Sequence, residues 1–265
     1  MSRFALGATL VIASLLVGAG GHAKPVQTAP RAPGTTITFP YEQRRLLHSR
    51  HGNGGLAYVT SAEVERGASL PVVVFLHGMN ADGQMHPWFN SPYGDLRTVV
   101  EPLVSSGSVA PFILAAPTQT RFATGATVMW PRFDLGDFLD ATERALDGLA
   151  HVDRERVIVV GHSAAGCNVE GGVLGDRVRT SKAMAILAID TCVDDRVIPE
   201  LAATAASTRV RFYWQKAWAR PIEALSSACE SCAIEEIELT PARTAHSAIV
   251  PEALRRALPE LLPAP

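Results

Sequence analysis

The chain is 265 residues long, with 47% hydrophobic and 19% charged residues and a formal net charge of −2. A chain of this length and composition can bury one substantial hydrophobic core, as globular proteins do. The near-neutral charge, without blocks of like charge, gives no electrostatic basis for binding nucleic acid or an anionic membrane surface.

The amino-terminal residues have the pattern of a secretory signal peptide. Arg3 supplies positive charge, Phe4 to Val17 form a short apolar run, and Gly21-His22-Ala23 offers a small-residue cleavage site. The apolar run is shorter than the roughly 20 residues of a transmembrane helix, so we expect no stable membrane insertion. The pattern predicts a signal peptide over residues 1–23 and a protein that is secreted or periplasmic.

Residues 24–35 are rich in Pro, Ala and Thr, which predicts a flexible leader. No convincing linker follows, and no later segment has the length and composition of a membrane span. We therefore expect one folded domain over residues 36–265.

Short apolar runs alternate with helical patterns along this domain. Four of the runs are almost continuously apolar, as strands buried on both faces of a parallel sheet are. These four predicted strands are Pro71–Gly78, Pro111–Pro117, Arg156–Gly161 and Ala183–Asp190. More exposed strands are predicted at Arg209–Trp214 and Ala233–Leu239, and an amino-terminal antiparallel pair at Thr35–Pro40 and Gly55–Thr60.

Two helices have clear sequence signals. A helical period of apolar residues runs through residues 133–150, and Asp134 is placed to cap the start of this helix. The last predicted helix is Pro251–Leu262, where Pro251 suits the first turn and Pro259 should bend or end the helix. Helices alternating with buried parallel strands predict a three-layer α/β domain, with a mostly parallel central sheet and helices on both faces.

The stretch Gly161-His162-Ser163-Ala164-Ala165 follows the third buried strand and is typical of a sharp strand-to-helix turn with serine at its tip. Such a turn needs small residues two positions before and after the serine, and Gly161 and Ala165 are small. The turn directs the backbone N–H of Ala164 toward the space above Ser163, at the start of a helix, where negative charge is stabilised.

A second backbone donor is predicted in the loop His77-Gly78-Met79-Asn80, which follows the first buried strand. The His-Gly step lets the N–H of Met79 turn toward the same serine, so that Met79 and Ala164 form an oxyanion hole. We interpret His77 as a structural residue that shapes this loop, and Asn80 as able to assist the donors.

Two further residues complete a candidate catalytic set. His246 follows the last predicted strand, in a loop from which an imidazole can reach the serine as general base. Asp190 ends a buried strand, at the edge of the parallel sheet where ligands and catalytic groups gather. Its carboxylate can orient His246 and stabilise the protonated imidazole.

With this serine turn, this His-Gly loop and the order Ser163, acid, His246, the chain from about Thr36 to its carboxyl terminus resembles the α/β-hydrolases. The resemblance implies a serine nucleophile, a histidine–acid pair and an oxyanion hole of backbone amides, with no metal and no organic cofactor. It implies an α/β-hydrolase catalytic domain over residues 36–265, and the sequence has no insertion large enough for a cap domain.

The chain departs from the family's common pattern at two points. Ala165 stands where glycine is usual, which the steric requirement tolerates. The acid commonly follows the next strand, but that segment has no carboxylate before Glu223. Asp190 fits the variant in which the acid ends the preceding strand, with Asp194 as the second candidate and Glu223 as the third.

Four cysteines in an exported chain predict two disulfides, with three pairings allowed. Cys229 and Cys232 are interpreted as a small structural clip, because the surrounding stretch has no histidine to complete a zinc site. Cys167 lies one helical turn after the serine and Cys192 two residues after the acid. A bridge between these two would tie the nucleophile helix to the acid loop and restrain the acid.

These residues predict acyl transfer to water, in which the serine attacks a carbonyl and the histidine moves the proton. Carboxylic esters are the expected substrates, and without a cap the site should be open to a polymeric or bulky ester. A serine peptidase or amidase is the alternative enzyme, and a non-catalytic binding protein on a hydrolase scaffold is the alternative from another class. The sequence does not indicate an oligomeric state.

Four aromatic residues lie in loops after predicted strands. They are candidates either to line the cleft or to pack against the domain surface. These residues are Trp88, Phe89, Tyr93 and Trp130.

Overall fold

An eight-stranded mixed sheet runs through the computed structural model of this protein. The structure describes residues 34–41, 54–61, 63–89, 94–119, 129–131, 133–217, 220–239 and 245–265. All of these belong to one unit, Arg31–Pro265. The predicted signal peptide and the leader up to residue 33 lie outside the described residues.

The strands follow the apolar runs of the sequence closely. They are β1 Thr35–Pro40, β2 Gly54–Val59, β3 Ala68–Leu76, β4 Ile113–Thr118, β5 Ala150–His162, β6 Ala185–Ile189, β7 Arg209–Trp214 and β8 Ala233–Glu236. Their order in the sheet is β1-β2-β4-β3-β5-β6-β7-β8.

The sheet is antiparallel at one edge and parallel elsewhere. β1 pairs antiparallel with β2, and β2 with β4, while all other neighbours are parallel. The predicted amino-terminal pair and the parallel arrangement of the buried strands are therefore confirmed. Because β3, β5 and β6 are parallel neighbours, their carboxyl ends meet at one edge, where His77, Ser163 and Asp190 follow them.

The described residues form six α-helices, five of them between strands and the last one after β8. They are α1 Leu96–Ser105, α2 Leu135–Leu146, α3 Asp176–Arg179, α4 Val197–Ala205, α5 Ile222–Ala228 and α6 Ala245–Leu261. As predicted, Asp134 caps α2, and its side chain accepts a hydrogen bond from the N–H of Asp137 at 3.2 Å.

Two separate apolar cores cover the two faces of the sheet. α1 and α6 pack on one face, and α2, α3, α4 and α5 pack on the other. Successive residues of β3 alternate between the cores, with Val72 and Val74 in one and Val73 and Phe75 in the other. This is the predicted three-layer architecture with helices on both faces.

β5 is longer than its apolar run, Arg156–Gly161, predicts. Its first residues pair with β3, from Ala68 opposite Ala150 to Leu70 opposite Val152, before the register shifts. That part of the strand is held by backbone pairing while residues such as His151 remain exposed, so the apolar pattern does not reveal it.

α6 begins six residues before the predicted start at Pro251, and both Pro251 and Pro259 lie inside it. A proline inside a helix removes one backbone hydrogen bond. Complete burial of side chains such as Ile249, Val250 and Leu254 against the sheet compensates for that loss. In the described part of the chain, no helix combines the length and apolar character that crossing a membrane requires.

Candidate active site

Ser163 sits immediately after β5 with a left-handed backbone, φ 55°. This conformation is unfavourable for a serine by roughly 1–3 kcal/mol of free energy, so the surrounding structure must impose it. The expected helix is reduced to a single 3₁₀ turn, Ser163–Gly166, after which the chain leaves helical geometry. The predicted sharp turn is present, but its amide donors come from one turn rather than from a long helix.

Close packing around Ser163 requires glycine at two positions, Gly161 and Gly78. A Cβ on Gly161 would lie 2.5 Å from Cγ1 of Val173, so the obstacle is a neighbouring 3₁₀ turn rather than the helix that the sequence predicts. A Cβ on Gly78 would lie 2.7 Å from the Cβ of Ser163. The His-Gly loop therefore approaches the serine closely, as predicted.

His246 lies in the first turn of α6, not in a loop as the sequence predicts. Its Nε2 is 2.8 Å from Oγ of Ser163, and its Nδ1 is 2.6 Å from Oδ2 of Asp190. An ionised carboxylate can only accept a hydrogen bond, so Nδ1 donates to Asp190. Nε2 is then free of hydrogen and accepts the serine hydroxyl, which is the arrangement of a general base beside its nucleophile.

Asp190 follows β6 directly and also has a left-handed backbone, φ 49°. The other two acid candidates lie elsewhere. The carboxylate of Asp194 accepts hydrogen bonds from the backbone N–H groups of Arg196 and Val197 at the start of α4, and Glu223 lies in the first turn of α5. Of the three, Asp190 is the one bonded to His246.

The Asp190 carboxylate is fully buried. Gln215 and Arg220, from the segment that follows β7, both donate hydrogen bonds to it. Nε2 of Gln215 donates to Oδ2 at 3.1 Å, and Nη2 of Arg220 donates to Oδ1 at 3.1 Å. Burial acts to raise the pKa of Asp190, but the hydrogen bonds from His246 and Gln215 and the charge of Arg220 outweigh it and lower the pKa. Sequence reasoning missed both residues, because neither belongs to a motif.

His77 shapes the loop that passes Ser163. Its Nε2 accepts the N–H of Gln119 at 3.0 Å, so Nδ1 carries the proton and donates to the carbonyl of Gly78 at 2.7 Å. Burial lowers the pKa of His77 to about 4, which keeps the ring neutral. The indole N–H of Trp130 donates to the carbonyl of His77 at 2.8 Å. These contacts agree with a structural role.

Asn80 also has a structural environment. Its Nδ2 donates to the carbonyls of Gln84 and Gln119, and its Oδ1 accepts the N–H of Gln84. These bonds tie the side chain to its own loop and to the residue after β4, and the assistance of Asn80 to the oxyanion donors stays a prediction.

His162 packs against His246, the candidate general base, and bonds to its backbone. In the sequence it stood out only as the neighbour of the serine. Its Nε2 donates to the carbonyl of His246 at 2.8 Å, and its ring lies 5.3 Å from that of Trp88. Burial, together with the nearby His246 ring, lowers the pKa of His162 to about 3. A neutral His162 is therefore part of the packing behind the site.

A cavity of about 190 Å³ opens beside Ser163. Its walls include the apolar residues Met79, Pro87 and Trp88 and the hydroxyl of Ser247. Of the four aromatic candidates, Trp88 lines this cavity, whereas Phe89 and Trp130 are buried in the cores. Tyr93 lies outside the described residues.

Both predicted disulfides are present. Cys167 is bonded to Cys192 with a Cα–Cα distance of 4.9 Å, and Cys229 to Cys232 with one of 5.3 Å. The first bridge joins the 3₁₀ turn after the serine to the segment after the acid. Within the described ranges, no group of three or more His, Cys, Asp or Glu side chains is arranged to bind a metal ion.

No protein-family model matches the sequence, and no curated protein matches it either. Solved structures do match. A ferulic acid esterase is 17% identical, with a TM-score of 0.57 over 86% of this chain and 98% of its own. A variant of the feruloyl esterase module from Clostridium thermocellum, complexed with sinapinate, is 11% identical, with a TM-score of 0.60 over 88% and 89%.

A third neighbour is the ferric enterobactin esterase from Salmonella typhimurium. It is 15% identical, with a TM-score of 0.54 over 88% of this chain and 59% of its own. At such identities the similarity concerns the fold. Together with the strand order and the turn at Ser163, these matches show that the chain has the α/β-hydrolase fold.

Proposed function

We propose that this protein is a serine hydrolase that cleaves carboxylic esters. The observation that carries the proposal is the continuous chain from Ser163 Oγ through the His246 ring to the Asp190 carboxylate, with distances of 2.8 and 2.6 Å. A serine held in a left-handed turn and bonded to an oriented imidazole is the arrangement that activates a hydroxyl nucleophile.

In the first half of the reaction, Oγ of Ser163 attacks the ester carbonyl while Nε2 of His246 takes the hydroxyl proton. The oxyanion is bound by the backbone N–H groups of Met79 and Ala164, and Asp190 stabilises the imidazolium. His246 then protonates the leaving alcohol as the bond between acyl carbon and alcohol oxygen breaks. The products of this half are the free alcohol and an acyl-serine.

In the second half, water attacks the acyl-serine and gives its proton to His246. Collapse of the second tetrahedral intermediate releases the carboxylic acid, and the imidazole returns its proton to Ser163 Oγ. The same two amides stabilise the second oxyanion, so no further group is required.

The cavity beside Ser163 supports a compact acyl group. An apolar cavity of about 150 Å³ is large enough for one benzene ring, so 190 Å³ with Met79 and Trp88 in its walls suits a single ring or a short chain. The name of the ferulic acid esterase among the structural neighbours is in keeping with an aromatic acyl group. The alcohol part would remain outside the cavity, which permits a bulky or polymeric substrate.

We also propose that the protein acts outside the cytoplasm. Disulfides persist in oxidising compartments, and the described residues contain two, at Cys167–Cys192 and Cys229–Cys232. Together with the signal-peptide pattern of residues 1–23, they support a secreted or periplasmic protein.

Labelling with a fluorophosphonate tests the activated serine. We expect one stoichiometric adduct on Ser163 by intact mass and peptide mapping, absent in Ser163→Ala and greatly slowed in His246→Ala. Ser231→Ala is the matched control, because Ser231 is exposed, donates to the carbonyl of Ala205 and does not line the cavity, so labelling should stay intact. A folded protein that forms no adduct would refute the mechanism and favour a binding scaffold.

A series of p-nitrophenyl esters tests the acyl preference. We expect acetate, butyrate and benzoate esters to be cleaved with higher kcat/KM than the palmitate ester, because a long chain exceeds the cavity. A preference for long chains would contradict the proposed acyl site, and hydrolysis of anilides as fast as esters would favour an amidase.

A further inference from the structure

Arg220 makes an unusual pair of contacts with Asp190. Its Nη2 donates both to the backbone carbonyl of Asp190, at 2.9 Å, and to Oδ1 of the carboxylate, at 3.1 Å. Its side chain is only 14% exposed. Gln215, from the same segment after β7, donates to the other carboxylate oxygen. We call Arg220 and Gln215 the acid clamp.

The backbone contact has a conformational consequence. Asp190 is held at φ 49°, a conformation that an aspartate does not keep without support. The N–H of Asp190 donates to the carbonyl of Tyr213 at 2.7 Å, and Arg220 binds the carbonyl on the other side of the same residue. Both peptide groups of Asp190 are thereby fixed, and with them the direction in which the carboxylate points.

We propose that the acid clamp positions the triad, with Arg220 fixing both the main chain and the carboxylate of Asp190 and so the orientation of His246. This inference rests on the proposed function of Ser163, His246 and Asp190. The hydrogen bonds of Arg220 go to Asp190, and Arg220 does not line the cavity, so it acts through Asp190 and is a positioning residue.

The clamp also has an electrostatic effect, which depends on the ionisable groups that the structure describes around the pair. These groups are Arg220 from the segment after β7, His246 from α6, His162 at the end of β5 and His77 behind it. Burial keeps His162 and His77 neutral, so Arg220 supplies the permanent positive charge among these four. That charge acts with the hydrogen bonds from His246 and Gln215 to lower the pKa of the Asp190 carboxylate.

The test is the pH profile of kcat/KM for p-nitrophenyl acetate in Arg220→Gln. We expect kcat to fall about 10- to 100-fold, as misorientation of a catalytic group does. We expect the midpoint of the acid limb to rise, because removing a positive charge close to a titrating group favours the protonated form of that group. KM should change little, since Arg220 does not line the cavity.

Two variants separate charge, geometry and general destabilisation. Arg220→Lys keeps the charge but lacks the planar guanidinium, so kcat should fall while the midpoint stays. Arg211→Gln is the matched control, because Arg211 is 15% exposed and pairs with Glu260 rather than with Asp190. If Arg220→Gln and Arg211→Gln share the wild-type kcat and midpoint, the inference is wrong.

A measurement without substrate distinguishes this inference from the proposed function. Histidine-labelled protein allows His246 protonation to be followed by NMR, whether or not the protein hydrolyses esters. Suppose that the NMR midpoint of His246 is higher in Arg220→Gln than in the wild type, while the wild type hydrolyses no ester. The positioning role of the acid clamp would then stand, and the proposed esterase function would be wrong. If Arg220→Gln does not fold, Arg220→Lys decides, because wild-type kcat in that variant overturns the inference.

Discussion

Ser163 and Gly78 are the pair of residues on which the geometry of the site depends most directly. A methyl group on Gly78 would lie 2.7 Å from Ser163 Cβ and 3.1 Å from Oγ, closer than van der Waals contact permits. Either the serine or the loop that carries the Met79 amide must then move. The proposed nucleophile and oxyanion hole are therefore set by a contact that only glycine allows.

We expect Gly78→Ala to lower kcat/KM for a p-nitrophenyl ester by about 100-fold, since a displacement of about 1 Å at a reacting group has that effect. Gly136→Ala is the matched control, because its Cβ would meet only Oδ1 of Asp134, at 3.5 Å, at the half-buried start of α2. Wild-type activity in a folded Gly78→Ala protein would contradict the close approach.

Asp190→Asn tests the choice of acid. We expect kcat to fall by about 10⁴, because an amide at this position stabilises neither the required tautomer nor the imidazolium. Asp194→Asn should leave kcat unchanged and weaken only the start of α4, at a cost of about 1 kcal/mol or less in unfolding free energy. Steady-state kinetics and denaturant unfolding measure the two effects, and the reverse pattern would assign the acid to Asp194.

At the scale of elements, the Cys167–Cys192 bridge connects the turn after β5 with the segment after β6. Replacing both cysteines with alanine should lower the unfolding free energy by about 2–4 kcal/mol, as loss of a bridge that closes a loop of this length does. We also expect a lower kcat, because the acid-bearing segment loses a restraint beside Asp190.

The Cys229–Cys232 bridge provides the control, because it closes a loop of only three residues at the end of α5. Its double alanine variant should cost less stability and leave kcat unchanged. Thermal unfolding and ester kinetics on the wild type and the two double variants measure both effects. Equal loss of activity in both double variants would show that the first bridge has no special role at the site.

The strands and helices also show which parts of the fold can be predicted from the sequence pattern. Buried parallel strands are predictable because both faces are apolar, and β4 and β6 lie where their apolar runs predict. The start of β5 and the first turns of α6 were not predictable. Exposed residues pair through their backbones in β5, and in α6 Pro251 marks a helix start that tertiary packing overrides.

The candidate site was predictable where chemistry has a local signature. Gly161, Ser163 and the His-Gly loop are short motifs with steric meaning, and the chain order places His246 last. Arg220 was not predictable, because its contact with Asp190 joins residues 30 positions apart and depends on the neighbouring position of β6 and β7 in the sheet. Such support becomes visible only after the fold is known.

At the scale of the whole molecule, two neutral histidines are buried beside the site. Burial lowers the pKa of His77 to about 4 and that of His162 to about 3, from an ordinary value of 6.5, and burial of His86 acts in the same direction. Between these values the unfolded chain binds more protons than the folded protein. Folding stability is therefore fully present above about pH 6.5 and falls as the pH decreases.

We expect the unfolding free energy to decrease between pH 6 and pH 4.5 with a slope of about 2.7 kcal/mol per pH unit from His77 and His162, about 1.36 each, to which His86 adds. Carboxylates with ordinary values near 3.8 contribute mainly below this window. His162→Gln should roughly halve the slope, because glutamine can still donate to the His246 carbonyl but does not titrate, whereas Ser163→Ala should leave it unchanged. Denaturant unfolding across the window measures the slope, and a flat profile would mean that both rings take up protons without unfolding.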